Sequence, residues 1–178
     1  NFDFENDRLI QLGDVVDRGH KSFECVALLL KVKNLIAIKG NHDDCFLQGL
    51  NTGRYRLMSE GNLQTLQSYI ENCNPDRKIY NSMHDDGYTT FVKEDMPQAH
   101  LDFFNNQLPY FIDEENNLFV HGGFNRHIRI QDETDKEIFW WDRDFLHVAR
   151  SLSLMTDDSV WKVKRFRTAN EFKEIFVG

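Results

Sequence analysis

The sequence predicts an α/β fold, and three features near its amino-terminal end support this prediction. Two short apolar runs, residues 9–12 and 35–38, are rich in branched side chains, and a glycine lies within two residues of the end of each, as is common for buried parallel strands. Residues 22–33 between them show helical spacing of apolar side chains, with Ser22 as the expected N-cap. Together these runs predict a strand, a helix and a parallel strand.

A polar segment follows each predicted strand. Residues 13–19 read GDVVDRG and residues 40–43 read GNHD. Ligands of open α/β sheets bind where loops leave the carboxyl ends of the strands. We therefore expect the polar side chains of both segments to meet in one crevice: Asp14, Asp17, Arg18, Asn41, His42 and Asp43.

These residue types favour one kind of chemistry. The carboxylate of Asp14 can bridge two cations, and the amide oxygen of Asn41 is a hard ligand for a divalent metal. His42 can bind a metal or transfer a proton. The guanidinium of Arg18 matches the geometry of a phosphate. The combination is typical of metal-assisted hydrolysis of phosphate esters.

The rest of the chain predicts helices first and then a hairpin. Helices are expected at residues 44–50, at 62–72 with Asn62 as cap, and at 96–107 with Pro97 in the first turn. Residues 72–87 are polar and predict a loop. Residues 110–113 and 118–121 flank the turn-forming segment EENN and predict a hairpin. Further helices are expected at 137–141 and 143–153, and a strand at 173–178.

Composition narrows the possible partners and location. A chain of 178 residues with 40% hydrophobic residues is large enough for one domain with its own core. Its net charge of −8 argues against a nucleic-acid partner. Cys25, Cys45 and Cys73 form no CxxC pattern, which favours a reducing, cytoplasmic location. No apolar run approaches the roughly 20 residues of a membrane helix, so no membrane partner is expected.

Several spaced motifs resemble those of the calcineurin-like metallophosphoesterases, in particular the bacterial-type serine/threonine phosphoprotein phosphatases. That branch carries GDxHG, GDxVDRG, GNHD or GNHE, HGG or HAG, and a late GHT or RGH. The second, third and fourth motifs are present here, the fourth as residues 121–123, and residues 141–144 (WDRD) resemble a segment that bears a second phosphate-binding arginine. The resemblance covers roughly residues 7–178.

The resemblance implies a fold and a mechanism. The expected fold is a sandwich of two mixed β-sheets flanked by helices, formed by one domain over residues 1–178 with a helical, cap-like insertion at about 44–107. The cofactors would be two divalent metal ions, manganese, iron or zinc. The implied roles are metal binding by Asp14, Asn41 and His121, phosphate binding by Arg18 and Arg143, and protonation of the leaving group by His42, oriented by Asp17.

The pattern departs from the family at both ends. GDxHG is absent, and the sequence stops after Gly178, the glycine of a predicted GHT. We therefore expect that the first strand and the last strands are missing, that residues 1–178 belong to a longer chain, and that this fragment alone binds metal poorly and is inactive. His20 also stands where many relatives have proline.

Several alternatives stay open at this point. The favoured function is a serine/threonine protein phosphatase, whose partner is a phosphorylated protein or another phosphate ester. The alternatives are a dinucleoside tetraphosphate hydrolase, a non-catalytic phosphate- or protein-binding module, and a nuclease-type phosphodiesterase, which the acidic charge disfavours. Asp43 fits either a catalytic role or a helix start. The oligomeric state is left open. The remaining histidines match no motif and are expected to be ordinary surface or packing residues: His20, His84, His100, His127 and His147.

Overall fold

The computed structural model describes residues 1–56, 61–81, 86–153 and 171–178. Its first unit is the predicted strand, helix and strand: β1 (Arg8–Gln11), α1 (Ser22–Leu29) and β2 (Asn34–Ala37). The strands are parallel, with Leu9 opposite Leu35. Helix α1 ends four residues earlier than expected. Ser22 is its first helical residue and not its N-cap, because the Ser22 hydroxyl instead lies 3.3 Å from that of Thr65.

Helix α2 (Asn41–Thr52) begins three residues before the predicted start. Its N-cap is Gly40, whose backbone N–H donates to the side chain of Asp43 at 3.0 Å. This capping interaction starts the helix early and brings Asn41 and His42 into its first turn. The helix ends at Gly53, which has a φ of +70°, in agreement with the predicted break.

The insertion contains strands as well as helices. Helices α3 (Asn62–Cys73) and α4 (Gln98–Asn105) lie close to their predicted positions. The predicted loop at 72–87 is wrong in its second half, because the chain forms an antiparallel sheet there. Its strands run in the order β3, β5, β4: β3 (Arg54–Arg56), β4 (Ile79–Asn81) and β5 (Asp86–Thr89). Strands of three or four residues are too short to show a clear sequence period.

The carboxyl-terminal half contains the predicted hairpin. Strands β6 (Tyr110–Ile112) and β7 (Leu118–Val120) are antiparallel, and β8 (Ile175–Val177) adds to β7 in parallel. Helices α5 (Ile138–Trp141) and α6 (Asp144–Ser153) follow the hairpin. A single bridge between Ile38 and Leu108 joins the end of β2 to the segment that leads into β6.

The α/β class is confirmed. The described strands form three small sheets, of which the β6, β7, β8 sheet is mixed, and the sheet in the insertion is additional to the predicted sandwich. One hydrophobic cluster packs the insertion helices against α1 and is centred on Phe46, Leu66 and Tyr69. A second cluster lies under the hairpin and includes Leu118 and Phe139. Among the described residues, no helix has the length and apolar character that a bilayer crossing requires.

Candidate active site

The loops that follow β1 and β2 are in direct contact. The backbone N–H of His42 donates to Asp14 Oδ1 at 3.0 Å. A Cβ atom placed on Gly40 would lie 2.2 Å from both Asp14 N and Asp14 Oδ1. Only glycine allows the loops to approach this closely, which explains why this residue precedes the second polar segment.

The first loop has an unusual backbone. Asp14, Asp17 and Arg18 have backbone φ values of +56°, +72° and +59°. Residues other than glycine rarely adopt this region. Such conformations persist only where surrounding contacts hold them, and they concentrate at functional sites. The strain therefore supports a functional role for this loop.

Asp43 holds the two loops together, which resolves the question that the sequence left open. Its carboxylate is 1% exposed and accepts hydrogen bonds from the N–H groups of Asp14, Val15 and Gly40 and from the side chain of Gln107, all at 2.9–3.0 Å. Burial raises the pKa of Asp43 to about 6. Because both oxygens accept hydrogen bonds from the two loops, we assign Asp43 a structural role. The sequence contained no signal for Gln107.

His42 and Asp17 form a buried pair. Nδ1 of His42 lies 2.8 Å from Asp17 Oδ2, and the two side chains are 7% and 1% exposed. The hydrogen bond to Asp17 raises the pKa of His42 above its ordinary value. Nε2 of His42 accepts from the guanidinium of Arg18 at 3.2 Å, so Nδ1–H donates to the carboxylate. The ring is thus held with Nε2 directed toward the exposed Arg18.

Three possible metal ligands converge beside this pair. Nδ1 of His121 donates to the carbonyl of Leu12 at 2.7 Å, which leaves Nε2 as the lone-pair nitrogen in the neutral ring. Nε2 lies 3.1 Å from Asn41 Oδ1 and 3.5 Å from Asp14 Oδ2. The Asn41 atom is an oxygen because Arg143 donates to it at 2.7 Å. A cation would satisfy three acceptor atoms that face one another, so these residues fit a divalent metal.

The comparisons with known proteins agree with this geometry. The family model of the calcineurin-like phosphoesterases matches residues 2–169. The chain belongs to the calcineurin-like phosphoesterase family. The chemistry of a calcineurin-like phosphoesterase is the metal-dependent hydrolysis of phosphate esters. No curated protein matches the sequence significantly.

The structure of this calcineurin-like phosphoesterase does not identify the metals. Across the described residues, no three His, Cys, Asp or Glu side chains come together as a metal-binding group. The three side chains around His121 include an asparagine, Asn41, and so contain only two residues of these types. Metal binding by Asp14, Asn41 and His121 stays a prediction.

The second predicted phosphate ligand, Arg143, also reaches the site. A Cβ atom on Gly122 would lie 2.8 Å from the carbonyl oxygen of Asp142, and one on Gly123 would lie 2.5 Å from Asp142 Oδ2. The loop after His121 therefore packs directly against the residue that precedes Arg143. This contact explains how a residue 102 positions away in sequence comes to donate to Asn41. Arg143 is exposed, as is Arg18, so both guanidiniums are accessible to a substrate.

The structure brings together all seven predicted site residues, but the sequence analysis missed the residues that support Asp17. Asn62 and Thr65 of α3 both donate to the Asp17 carboxylate at 2.7 Å. Asn62 was predicted only as a helix cap, although Gly61 occupies that position.

The other histidines lie elsewhere. His100 is buried and hydrogen-bonded to Tyr69, at 3.0 Å between Nδ1 and the hydroxyl oxygen. The side chains of three more are exposed: His20, His127 and His147. His84 lies outside the described residues.

Proposed function

We propose that this protein is a cytoplasmic serine/threonine phosphoprotein phosphatase. The observation that carries the proposal is the buried pair of Asp17 and His42, with 2.8 Å between Asp17 Oδ2 and His42 Nδ1. An alkoxide that leaves from phosphoserine is strongly basic and needs a proton, whereas a nucleotide that leaves from a polyphosphate is weakly basic and does not. A positioned proton donor therefore favours phosphate monoesters of serine and threonine.

Each of the remaining site residues has a role in this proposal. Asp14, Asn41 and His121 would hold divalent metals, proposed to be manganese, iron or zinc, which supply an activated water and neutralise phosphoryl charge. Arg18 and Arg143 bind the phosphoryl oxygens through their planar guanidinium groups. The exposure of both arginines is consistent with this role.

The charge around the site supports a peptide over a polyphosphate. A cavity of about 440 Å³ lies beside the segment that carries Arg143. Arg126 and His127 line it together with four carboxylates: Asp135, Glu137, Asp142 and Asp144. With one arginine against four carboxylates, the lining is net negative, which disfavours a polyphosphate and favours a neutral or basic residue beside a phosphoserine. In the insertion, the carboxylate of Asp95 contributes less to this preference, because it accepts hydrogen bonds from Arg77 and Asn74.

The test is a kinetic comparison in the full-length, manganese-loaded protein. We expect kcat/KM to be higher for phosphoserine and phosphothreonine peptides than for diadenosine tetraphosphate. The variant Asp17→Asn serves as a control, because it should lose activity on the peptides while changing the dinucleotide reaction little. A clearly higher kcat/KM for the dinucleotide would overturn the phosphatase proposal but not the metal chemistry. Failure to hydrolyse any phosphate ester would favour the non-catalytic binding module.

A further inference from the structure

The carboxylate of Asp17 is held by helix α3, which lies outside the motifs. Asn62 Nδ2 donates to Oδ2 at 2.7 Å, and the hydroxyl of Thr65 donates to Oδ1 at 2.7 Å. The same hydroxyl oxygen accepts from the backbone N–H of Asp17 at 2.8 Å. Thr65 therefore binds both the backbone and the side chain of one residue.

These contacts restrict the orientation of the acid. The oxygen bound by Asn62 is also the one that accepts from Nδ1–H of His42. Since donors occupy both carboxylate oxygens, the group cannot rotate without breaking a buried hydrogen bond. The backbone of Asp17 has a φ of +72°, and the bond from its N–H to Thr65 helps to hold this strained conformation.

We propose that Asn62 and Thr65 are positioning residues for proton delivery. They fix the Asp17 carboxylate, which fixes the ring of His42. In the charged form of His42 both ring nitrogens carry a proton, so Arg18 no longer donates to Nε2 and binds the phosphoryl group instead. As the bond from phosphorus to the leaving oxygen breaks, that oxygen takes the proton on Nε2 of His42. A new O–H bond forms, the electron pair of the N–H bond stays on the ring, and His42 becomes neutral. The inference rests on the proposed role of His42 as the general acid.

Other residues also hold helix α3 in place. Leu66 and Tyr69 are fully buried in the core beneath the helix. Ser68, one turn after Thr65, accepts from the backbone N–H of Phe23 at 3.1 Å and donates to Glu24 at 3.3 Å. Ser68 thus anchors α3 to α1 without touching Asp17, which makes it a matched structural control.

The experiment measures kcat and KM of the full-length, manganese-loaded protein on an alkyl phosphate and on 4-nitrophenyl phosphate. We expect Thr65→Val to lower kcat on the alkyl substrate by about tenfold or more, and on the aryl substrate by about twofold or less, because only the alkoxide needs the proton. KM should change little. Thr65→Ser should restore the alkyl rate, and Asn62→Ala should resemble Thr65→Val more weakly. Ser68→Ala should lower Tm but leave the ratio of the two kcat values unchanged.

Equal losses on both substrates, or a ratio no different from that of Ser68→Ala, would overturn the inference. If Thr65→Val does not fold, Asn62→Ala provides the same comparison. The variant His42→Asn distinguishes a failure of the positioning role of Asn62 and Thr65 from a failure of the general-acid role of His42. If His42→Asn shows the dependence on leaving group and Thr65→Val and Asn62→Ala do not, only the positioning role fails. If the kcat loss of His42→Asn also shows no dependence on the leaving group, the general-acid role fails as well.

Discussion

The substitution Asp43→Asn tests whether this carboxylate holds the two loops together. Oδ2 accepts from Asp14, Gly40 and Gln107, and Oδ1 accepts from Val15 alone. The asparagine therefore fits best with its NH₂ group toward Val15. That orientation leaves the buried N–H of Val15 without an acceptor, places the new NH₂ group against this donor, and weakens three charge-assisted hydrogen bonds.

An unsatisfied buried N–H costs about 1–3 kcal/mol, and each weakened bond adds a few tenths to about 1 kcal/mol. Removing a buried negative charge recovers part of this loss, since burial raises the pKa of Asp43 to about 6. We expect the free energy of unfolding to fall by about 2–4 kcal/mol.

Urea denaturation in the presence of a chelator measures this change without the contribution of metal binding. The matched control is Asp44→Asn in the same helical turn. Its carboxylate accepts from Gln48 and lies 3.9 Å from Lys39. Because the oxygen of an asparagine can still accept from Gln48, the loss should be smaller than that of Asp43→Asn. Equal stability losses in the two variants, or a loss of activity by Asp43→Asn that depends on the leaving group, would refute the structural role.

Three further predictions follow from the same geometry. Arg143→Lys should weaken inhibition by inorganic phosphate about tenfold, because lysine lacks the planar fork, while Arg129→Lys on the surface should not. His121→Ala should lower the metal content measured by elemental analysis, and the exposed His127→Ala should leave it unchanged. Burial lowers the pKa of His100, so the unfolded chain binds a proton first on acidification and stability falls below about pH 6.5. The denaturation profile of His100→Gln should fall less steeply there, and parallel profiles would exclude this contribution.

The sequence predicted the site residues because they follow short strands and stand in recognisable motifs. Asn41 and His121 are 80 residues apart, yet their motif contexts identified both. Asn62, Thr65 and Gln107 could not be found in this way. Each is an ordinary polar residue on or beside a helix, and its role depends on a partner 45 or more residues away.

At two further places the local sequence is compatible with more than one structure or role. An acid in the first turn of a helix suits the helix dipole whether or not it also binds distant N–H groups, so the sequence left the role of Asp43 open. The antiparallel sheet of the insertion was missed because its strands are short and β5 contains a glycine, Gly87, opposite Tyr55. Tertiary contacts decide both cases, and the local pattern does not contain them.

The central claim is that His42, held by Asp17, protonates the leaving group. Its most direct test is the kcat of His42→Asn in the full-length, manganese-loaded protein on a phosphoserine peptide and on 4-nitrophenyl phosphate. We predict a loss of about 10²–10⁴-fold on the peptide and a much smaller loss on the aryl ester, whose leaving group needs no proton. Equal losses on both substrates would contradict the claim and would assign His42 to metal binding or structure.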